Sequence, residues 1–220
     1  DSWTNIGLNN VGIITSCIVN AQNPDEIVVG SLGSGFAKTN ERGIYKTTDG
    51  GATWNNTLFI SDSSGVTDIV VHPNNPLIMY AASFNRLNLP NRSISQGPAS
   101  MIFKSIDGGS SWTQLTNGLP NIDLSRVGIA ISESNPDKLV AIYVGTSYEL
   151  YDIFETNNAG ASWTSMNAAS GTNGLDQNLT GGFGWYFGTI FINPFDEESK
   201  QTFINNGYKV YSPDNFKLED

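Results

Sequence analysis

The 220-residue chain has one cysteine, one histidine, and 11 Lys plus Arg against 21 Asp plus Glu. Each shortage removes a class of function. Cys17 has no partner for an internal disulfide, and Cys17 with His72 cannot supply the ligand set of a zinc site. No metal or cofactor is therefore expected. A formal net charge of −10 leaves no basic stripe for a phosphate backbone, which excludes nucleic acid as the expected partner. The same balance opposes binding to an anionic membrane surface. No apolar run approaches the roughly 18 residues of a spanning helix, so no membrane insertion is expected. His72 abuts Pro73 at a strand-to-turn position aligned with Ala21 and Ser132, which predicts a structural histidine rather than a Ser/His/Asp centre. Helical periodicity is missing as well. The first residue is Asp1 and no signal peptide precedes it, so the chain reads as a processed or trimmed product.

What the chain has is repetition. The string GIYKTTDGGATW at 43–54 returns as MIFKSIDGGSSW at 101–112 and DIFETNNAGASW at 152–163. Ser2-Trp3 matches the tail of this unit, and residues 208–214 match its front half. Trp3, Trp54, Trp112 and Trp163 are spaced 51, 58 and 51 residues apart. Between these units lie paired apolar runs around an Asn-Pro turn: 13–19 and 27–31, 66–71 and 78–83, 127–131 and 139–145, 187–192 and 202–205. The runs are rich in Val, Ile, Tyr and Phe and are bounded by Gly, Asn, Asp and Pro, the marks of strand and turn. One repeat thus predicts four short strands, and four strands per roughly 50 residues predict the blades of an all-β propeller spanning 1–220 as a single domain. In the second hairpin, Asp49 and Asp107 are placed to bond backbone N–H groups ahead of them, and Asn158 takes the same position in the third copy. Gly51, Gly109 and Gly160 fall where such a hairpin needs positive φ. The tryptophans are expected to pack the closing strand of each blade.

The pattern Ser/Thr-x-Asp-x-Gly-x-Ser/Thr-Trp resembles the Asp-box (BNR) repeat of sialidases, sortilin-type receptor ectodomains and xyloglucan-hydrolysing propellers. It is complete at 47–54 and 105–112, carries Asn158 in the third copy, and in the fourth runs from Asp214 into Phe216 where glycine is expected. The resemblance implies a secreted or cell-surface propeller. Related propellers have six or more blades, so these roughly four blades read as a segment of a larger chain, with a closed four-bladed ring as the alternative.

Function is expected on the face opposite the Asp-Gly-Gly turns, where the longer loops lie. These are 32–42, 84–99 and 146–151 between second and third strands, and 58–65, 116–125 and 167–184 between blades. Phe84, Arg86, Tyr148, Asp176, Trp185 and Tyr186 are the candidate ligand residues, because aromatic faces stack on sugar C–H surfaces while charged groups bond hydroxyls. Trp185 and Tyr186, at the start of an innermost strand, have interblade packing as their other reading. A sialidase site needs several arginines; only Arg42, Arg86, Arg92 and Arg126 are present, with no Arg-Ile-Pro motif. A glycosidase needs two carboxylates about 5 to 9 Å apart. Asp68, Asp152 and Asp176 are the candidates, among loop-face acids that include Asp62, Asp123 and Glu149. None carries a signature. The expectation is a non-catalytic module binding glycan or an extracellular protein. Part of a xyloglucanase-like hydrolase and a structural or adhesion segment are the alternatives.

Overall fold

The computed structural model describes residues 2–166, 182–192 and 200–201. Three four-stranded antiparallel sheets form, each built from consecutive stretches of chain. The first holds β1 (Ile13–Val19), β2 (Ile27–Gly33), β3 (Gly43–Thr47) and β4 (Asn55–Leu58) in that order. The second holds β5 (Ser64–Val71), β6 (Met79–Asn85), β9 (Ile102–Ser105) and β10 (Thr113–Leu115). An inserted hairpin, β7 (Leu87–Leu89) with β8 (Arg92–Ile94), stands between β6 and β9. The third holds β11 (Val127–Ile131), β12 (Leu139–Val144), β13 (Leu150–Thr156) and β14 (Thr164–Ser165). These are propeller blades, as the repeat predicts.

After them come a helical turn, α1 (Gly184–Phe187), and a short pair, β15 (Phe191–Ile192) with β16 (Lys200–Gln201). The strand expected from residue 187 therefore starts at 191, and Trp185 and Tyr186 sit on the helical turn before it. Residues 202–205 and Asp214 lie outside the described residues.

Apolar residues alternate along each inner strand and fill the gaps between blades. Val28 and Ile44 of the first blade meet Val66, Ile69 and Met79 of the second. Tyr80 and Ile102 meet Val127, Ile129, Phe154 and Trp163 across the next gap. Ile142 and Ile153 carry Ile190, ahead of β15. The inner strands are also stitched by hydroxyls. β1 and β5 each carry a bulge, at Thr15 and at Thr67, where the pairing register skips one residue. Thr15 Oγ1 donates to Val66 O at 2.7 Å, and Thr67 Oγ1 to Val127 O at 3.2 Å. β11 has no such register shift, and Gly128 follows Val127 directly.

The Asp-Gly-Gly turns obey one plan. Thr47 Oγ1 donates to Asp49 Oδ1 at 2.7 Å and accepts from Gly51 N at 3.0 Å. Asp49 in turn accepts from Thr53 N at 2.9 Å and Thr53 Oγ1 at 2.6 Å. Ser105, Asp107, Gly109 and Ser111 repeat these bonds. Asn158 keeps the plan by donating its amide to Ser162 Oγ at 2.8 Å. Gly51, Gly109 and Gly160 have φ of +92, +82 and +84°, as the hairpin requires. Within each blade this turn is tied to the Asn-Pro turn: Gly50 N donates to Asp25 O, Gly108 N to Leu77 O and Ala159 N to Asp137 O, all at 2.9–3.0 Å. Both tight turns therefore share one end of the blades.

His72 belongs to this end. Its Nδ1 accepts from Asn74 N at 3.1 Å, matching Asn20 Oδ1 with Gln22 N and Ser132 Oγ with Asn135 N. Asn20, not Ala21, is its counterpart in the first blade. The turn tryptophans are unequal. Trp163 is buried at 4% exposure, while Trp54 and Trp112 are half-buried. Trp3 lies outside any strand and is fully exposed. Ile6 instead reaches the first Asp-Gly-Gly turn, its carbonyl accepting from Trp54 Nε1 at 2.9 Å.

Candidate functional site

Two arginines organise the face opposite the tight turns. Arg42, just before β3, is fully buried. Its guanidinium donates to the carbonyls of Leu32, Ser34, Ala37 and Arg86, pinning the loop between β2 and β3 to the neighbouring blade. Burial lowers its pKa, and Asp62 opposes that shift. The group is spent on backbone carbonyls and is not available to grip a ligand. Asn88 N donates to Gly35 O at 2.7 Å and Arg86 N to Ser63 O at 2.9 Å, so three loops knit into one surface. At its rim Lys38 pairs with Asp62 at 3.2 Å, both exposed, a contact of small energetic weight.

Arg86 follows β6 and opens the inserted hairpin. Its Nη1 donates to Asn88 Oδ1 at 2.8 Å, Ser93 Oγ at 3.0 Å and Ser95 Oγ at 2.8 Å. The guanidinium carbon lies 4.4 Å from the centre of the Trp185 ring, a cation–π contact between the second blade and α1. Burial lowers the Arg86 pKa, with Tyr148 acting in the opposite sense. Trp185 meets Tyr186 edge to face, ring centres 5.3 Å apart at 71°. Trp185 is half-buried, and Tyr186 is 61% exposed. Gly184 N donates to Tyr148 O at 3.1 Å, which ties α1 to the loop between β12 and β13. Tyr148 itself holds φ of +68°, a left-handed conformation that costs a bulky residue about 1–2 kcal/mol. Such strain persists only where the surroundings impose it, and it collects at functional sites.

Beside this cluster lies a cleft of about 430 Å³ lined by Asp123, Thr146, Ser147, Glu149 and Tyr151 among others. Asp123 also lines an adjoining cleft of about 300 Å³ with Ser100, Gln114, Asn121 and Tyr143. Both open beside the segment 119–123.

Of the residues expected from sequence, Arg86, Tyr148, Trp185 and Tyr186 come together. Phe84 does not join them: it is 2% exposed on β6, its ring used in the core, and a ligand cannot reach it. Asp68 and Asp152 are each bonded to a different strand. Asp68, on β5, accepts from Ile129 N of β11 at 3.4 Å, beside Arg126. Burial raises its pKa, against the bond from Ile129 and the charge of Arg126. Asp152, 9% exposed on β13, accepts from Ile153 N at 2.7 Å and from Ser165 Oγ of β14. Asp68 is thus tied to β11 and Asp152 to β14, different strands of the third blade. Asp176 lies outside the described residues. In the sequence Asp123 and Glu149 stand out only as loop acids; their convergence on one cleft has no spacing signal, because they belong to different loops of the second and third blades. The acceptors that brace Arg86, Ser93 and Ser95, were likewise unmarked. Among the described residues no group of three or more His, Cys, Asp or Glu is placed to hold a metal ion.

No protein-family model matches the chain, and no curated protein matches it by sequence. It is similar in structure to the GH74 xyloglucanase of Xanthomonas campestris, with TM-score 0.62 and 14% identity over 90% of this chain and 27% of that one. It is similar also to YCF48 bound to a D1 peptide (TM-score 0.51, 13% identity, 96% of this chain and 55% of that one). An oligogalacturonate lyase in complex with manganese gives TM-score 0.51 at 9% identity, over 90% of this chain and 46% of that one. The chain thus spans 27–55% of the length of these proteins. At such identities the likeness speaks to the fold, a β-propeller architecture shared by glycoside hydrolases and others.

Proposed function

We propose that the chain is an arc of an Asp-box propeller that binds glycan through its loop face, as a secreted or cell-surface module of a larger protein. The Asp-box reading draws support from the hydrogen-bond plan common to the turns at Asp49, Asp107 and Asn158. A larger protein is in keeping with the fraction of each similar structure that the chain spans. Acidic charge, few lysines and many Asn and Gly suit an extracellular setting.

One observation carries the binding reading. Trp185 and Tyr186, with Arg86 and the strained Tyr148, stand beside a cleft lined with hydroxyls and carboxylates. Stacking rings next to hydroxyl-bonding groups are what a saccharide needs. The test is a glycan array on the purified chain, followed by titration of Trp185→Ala. We expect a saccharide ligand, with affinity falling at least tenfold in the variant. No binding to any sugar sinks the reading and leaves an extracellular protein as ligand.

The second reading, part of a glycoside hydrolase, is favoured by Asp123 and Glu149 lining the same cleft. It requires release of reducing sugar from a soluble polysaccharide, abolished in both Asp123→Asn and Glu149→Gln. Turnover that survives either change removes this pair.

A further inference from the structure

We propose that Arg86 is a positioning residue for Trp185: it holds the indole in place for stacking and does not itself grip the ligand. This rests on the glycan-binding reading of the loop face. The geometry assigns the role. A ligand-gripping arginine offers a fork of free N–H groups to a carboxylate or hydroxyl. In Arg86 the Nη1 nitrogen is shared among three acceptors of its own hairpin, Asn88, Ser93 and Ser95. The hairpin β7–β8 exists only in the second blade among the described residues, and Asn88 and Ser93 face each other in its register. Their side chains are bonded to each other as well as to Arg86. The insertion is thus a socket for one guanidinium. What the socket presents to the rest of the molecule is the charge of that group, its carbon 4.4 Å from the centre of the Trp185 ring.

Trp185 needs such a brace because its own element is weak. α1 is a single turn of four residues with no side-chain cap at its start. A single turn is unstable on its own. It is held at one point by Gly184 N on Tyr148 O and at another by Arg126 Nε on Gly188 O at 3.1 Å. Neither bond fixes the indole. The cation–π contact does, and it does so by covering one face of the ring while Trp185 remains half-exposed and Tyr186 largely exposed. Holding the ring ready lowers the ordering cost of binding, which is the usual source of affinity in a stacking platform.

A specificity follows. Arg42 is bonded to carbonyls, Arg86 through Nη1 to its socket, and Arg126 through Nε to Gly188. Asp123 and Glu149 line the adjoining cleft. The platform therefore selects saccharides without carboxylates, which would meet like charge from these two acids.

The experiment has an arm with no ligand and an arm with one. In the first, near-UV circular dichroism is recorded for the wild type, Trp185→Phe, Arg86→Ala and Arg86→Lys. The Trp185–Tyr186 signal, read as wild type minus Trp185→Phe, is expected to collapse in Arg86→Ala and to be partly rescued in Arg86→Lys. A signal unchanged in Arg86→Ala overturns the proposal, whether or not any sugar binds. Ser95→Ala, which removes one acceptor and leaves the arginine, serves if Arg86→Ala does not fold, and a reduced signal is expected there too. In the second arm, cellohexaose, a xyloglucan oligosaccharide and a hexagalacturonate are titrated. We expect the neutral oligosaccharides to bind, the uronate to bind at least tenfold more weakly, and Arg86→Ala to weaken neutral binding about tenfold. Tighter binding of the uronate, lost in Arg86→Ala, makes Arg86 a ligand grip and overturns the proposal. If the wild type binds none of the three, the glycan reading fails while the first arm still decides what Arg86 does.

Discussion

At the residue scale the turn acids make the sharpest contrast. The Thr53 hydroxyl and N–H, with the Thr47 hydroxyl, hold Asp49 at a pKa of about 2. Slight burial pushes Asp107 up, and the bonds from Ser111, Ser105 and Ser110 outweigh it, so it also sits at about 2. A carboxylate whose folded pKa lies below its unfolded value of about 3.9 stabilises the fold above that value. That contribution is lost as pH falls from about 4 towards 2. Asn158 makes the same bonds without a titrating group. Thermal unfolding between pH 2 and 6 should therefore lose its acid limb in part in Asp49→Asn and Asp107→Asn. Asn158→Asp should steepen it. An unchanged limb in all three would show that these bonds do not differ between the folded and unfolded chains. The third turn departs in a second way: Ala159 holds φ of +54° where Gly50 and Gly108 hold +68°. Its carbonyl accepts from Tyr80 Oη at 2.9 Å and Lys104 Nζ at 2.7 Å, so the second blade holds the strained residue in place.

At the element scale the bulged inner strands are the joints of the arc. Thr67 reaches two carbonyls, Ala82 O within its own blade and Val127 O in the next, each at 3.2 Å. Thr67→Val keeps the branched shape and removes only the hydroxyl. Leaving buried carbonyls without that donor costs about 1–3 kcal/mol, measured as a drop in chemical unfolding free energy. The same change at Thr15, half-buried with one acceptor, should cost less. Equal losses at both sites would mean that the bulge, and not the stitch, sets the energy. The inserted hairpin shows what an element can do that its residues alone cannot. Asn88 and Ser93 are ordinary polar residues until β7 and β8 pair them across the strand.

At the whole-molecule scale each blade lends its neighbour a wall. Val66 and Ile69 of the second blade are 0% and 6% exposed because the first blade covers them. Their register counterparts on the first blade, placed by the bulges at Thr15 and Thr67, are Ile14 and Cys17. Ile14 is 45% exposed, Val19 is 52% exposed, and Cys17 is exposed. The face of β1 is thus chemically an interblade surface open to solvent. Cys17 should accordingly react with a maleimide in the folded chain within a few-fold of the rate in denaturant. Protection of a hundredfold or more would show this face covered, by another blade or by a second copy of the chain. The architecture of loops also belongs to this scale. Asp123 and Glu149 share a cleft only because the second and third blades stand side by side.

The amino-acid order alone determined the repeat, the four strands of each blade, the two kinds of tight turn, and the glycines and hydroxyls that close them. These rest on contacts between residues a few positions apart, which spacing and residue type encode directly. It also indicated Arg86, Tyr148, Trp185 and Tyr186, because a propeller sends its long loops to one end. What only the tertiary structure decided are relations across blades and between loops. Phe84 is buried because β6 is covered on both faces from Met79 to Phe84. Asp68 was bonded to β11 and Asp152 to β14, and the segment from 184 coiled into a turn before its strand began. The guanidinium of Arg86 was committed to a hairpin socket and an indole 99 positions away in sequence. Pattern specifies which residues sit on which element; the packing of one blade on the next specifies which side chains are left to meet a ligand.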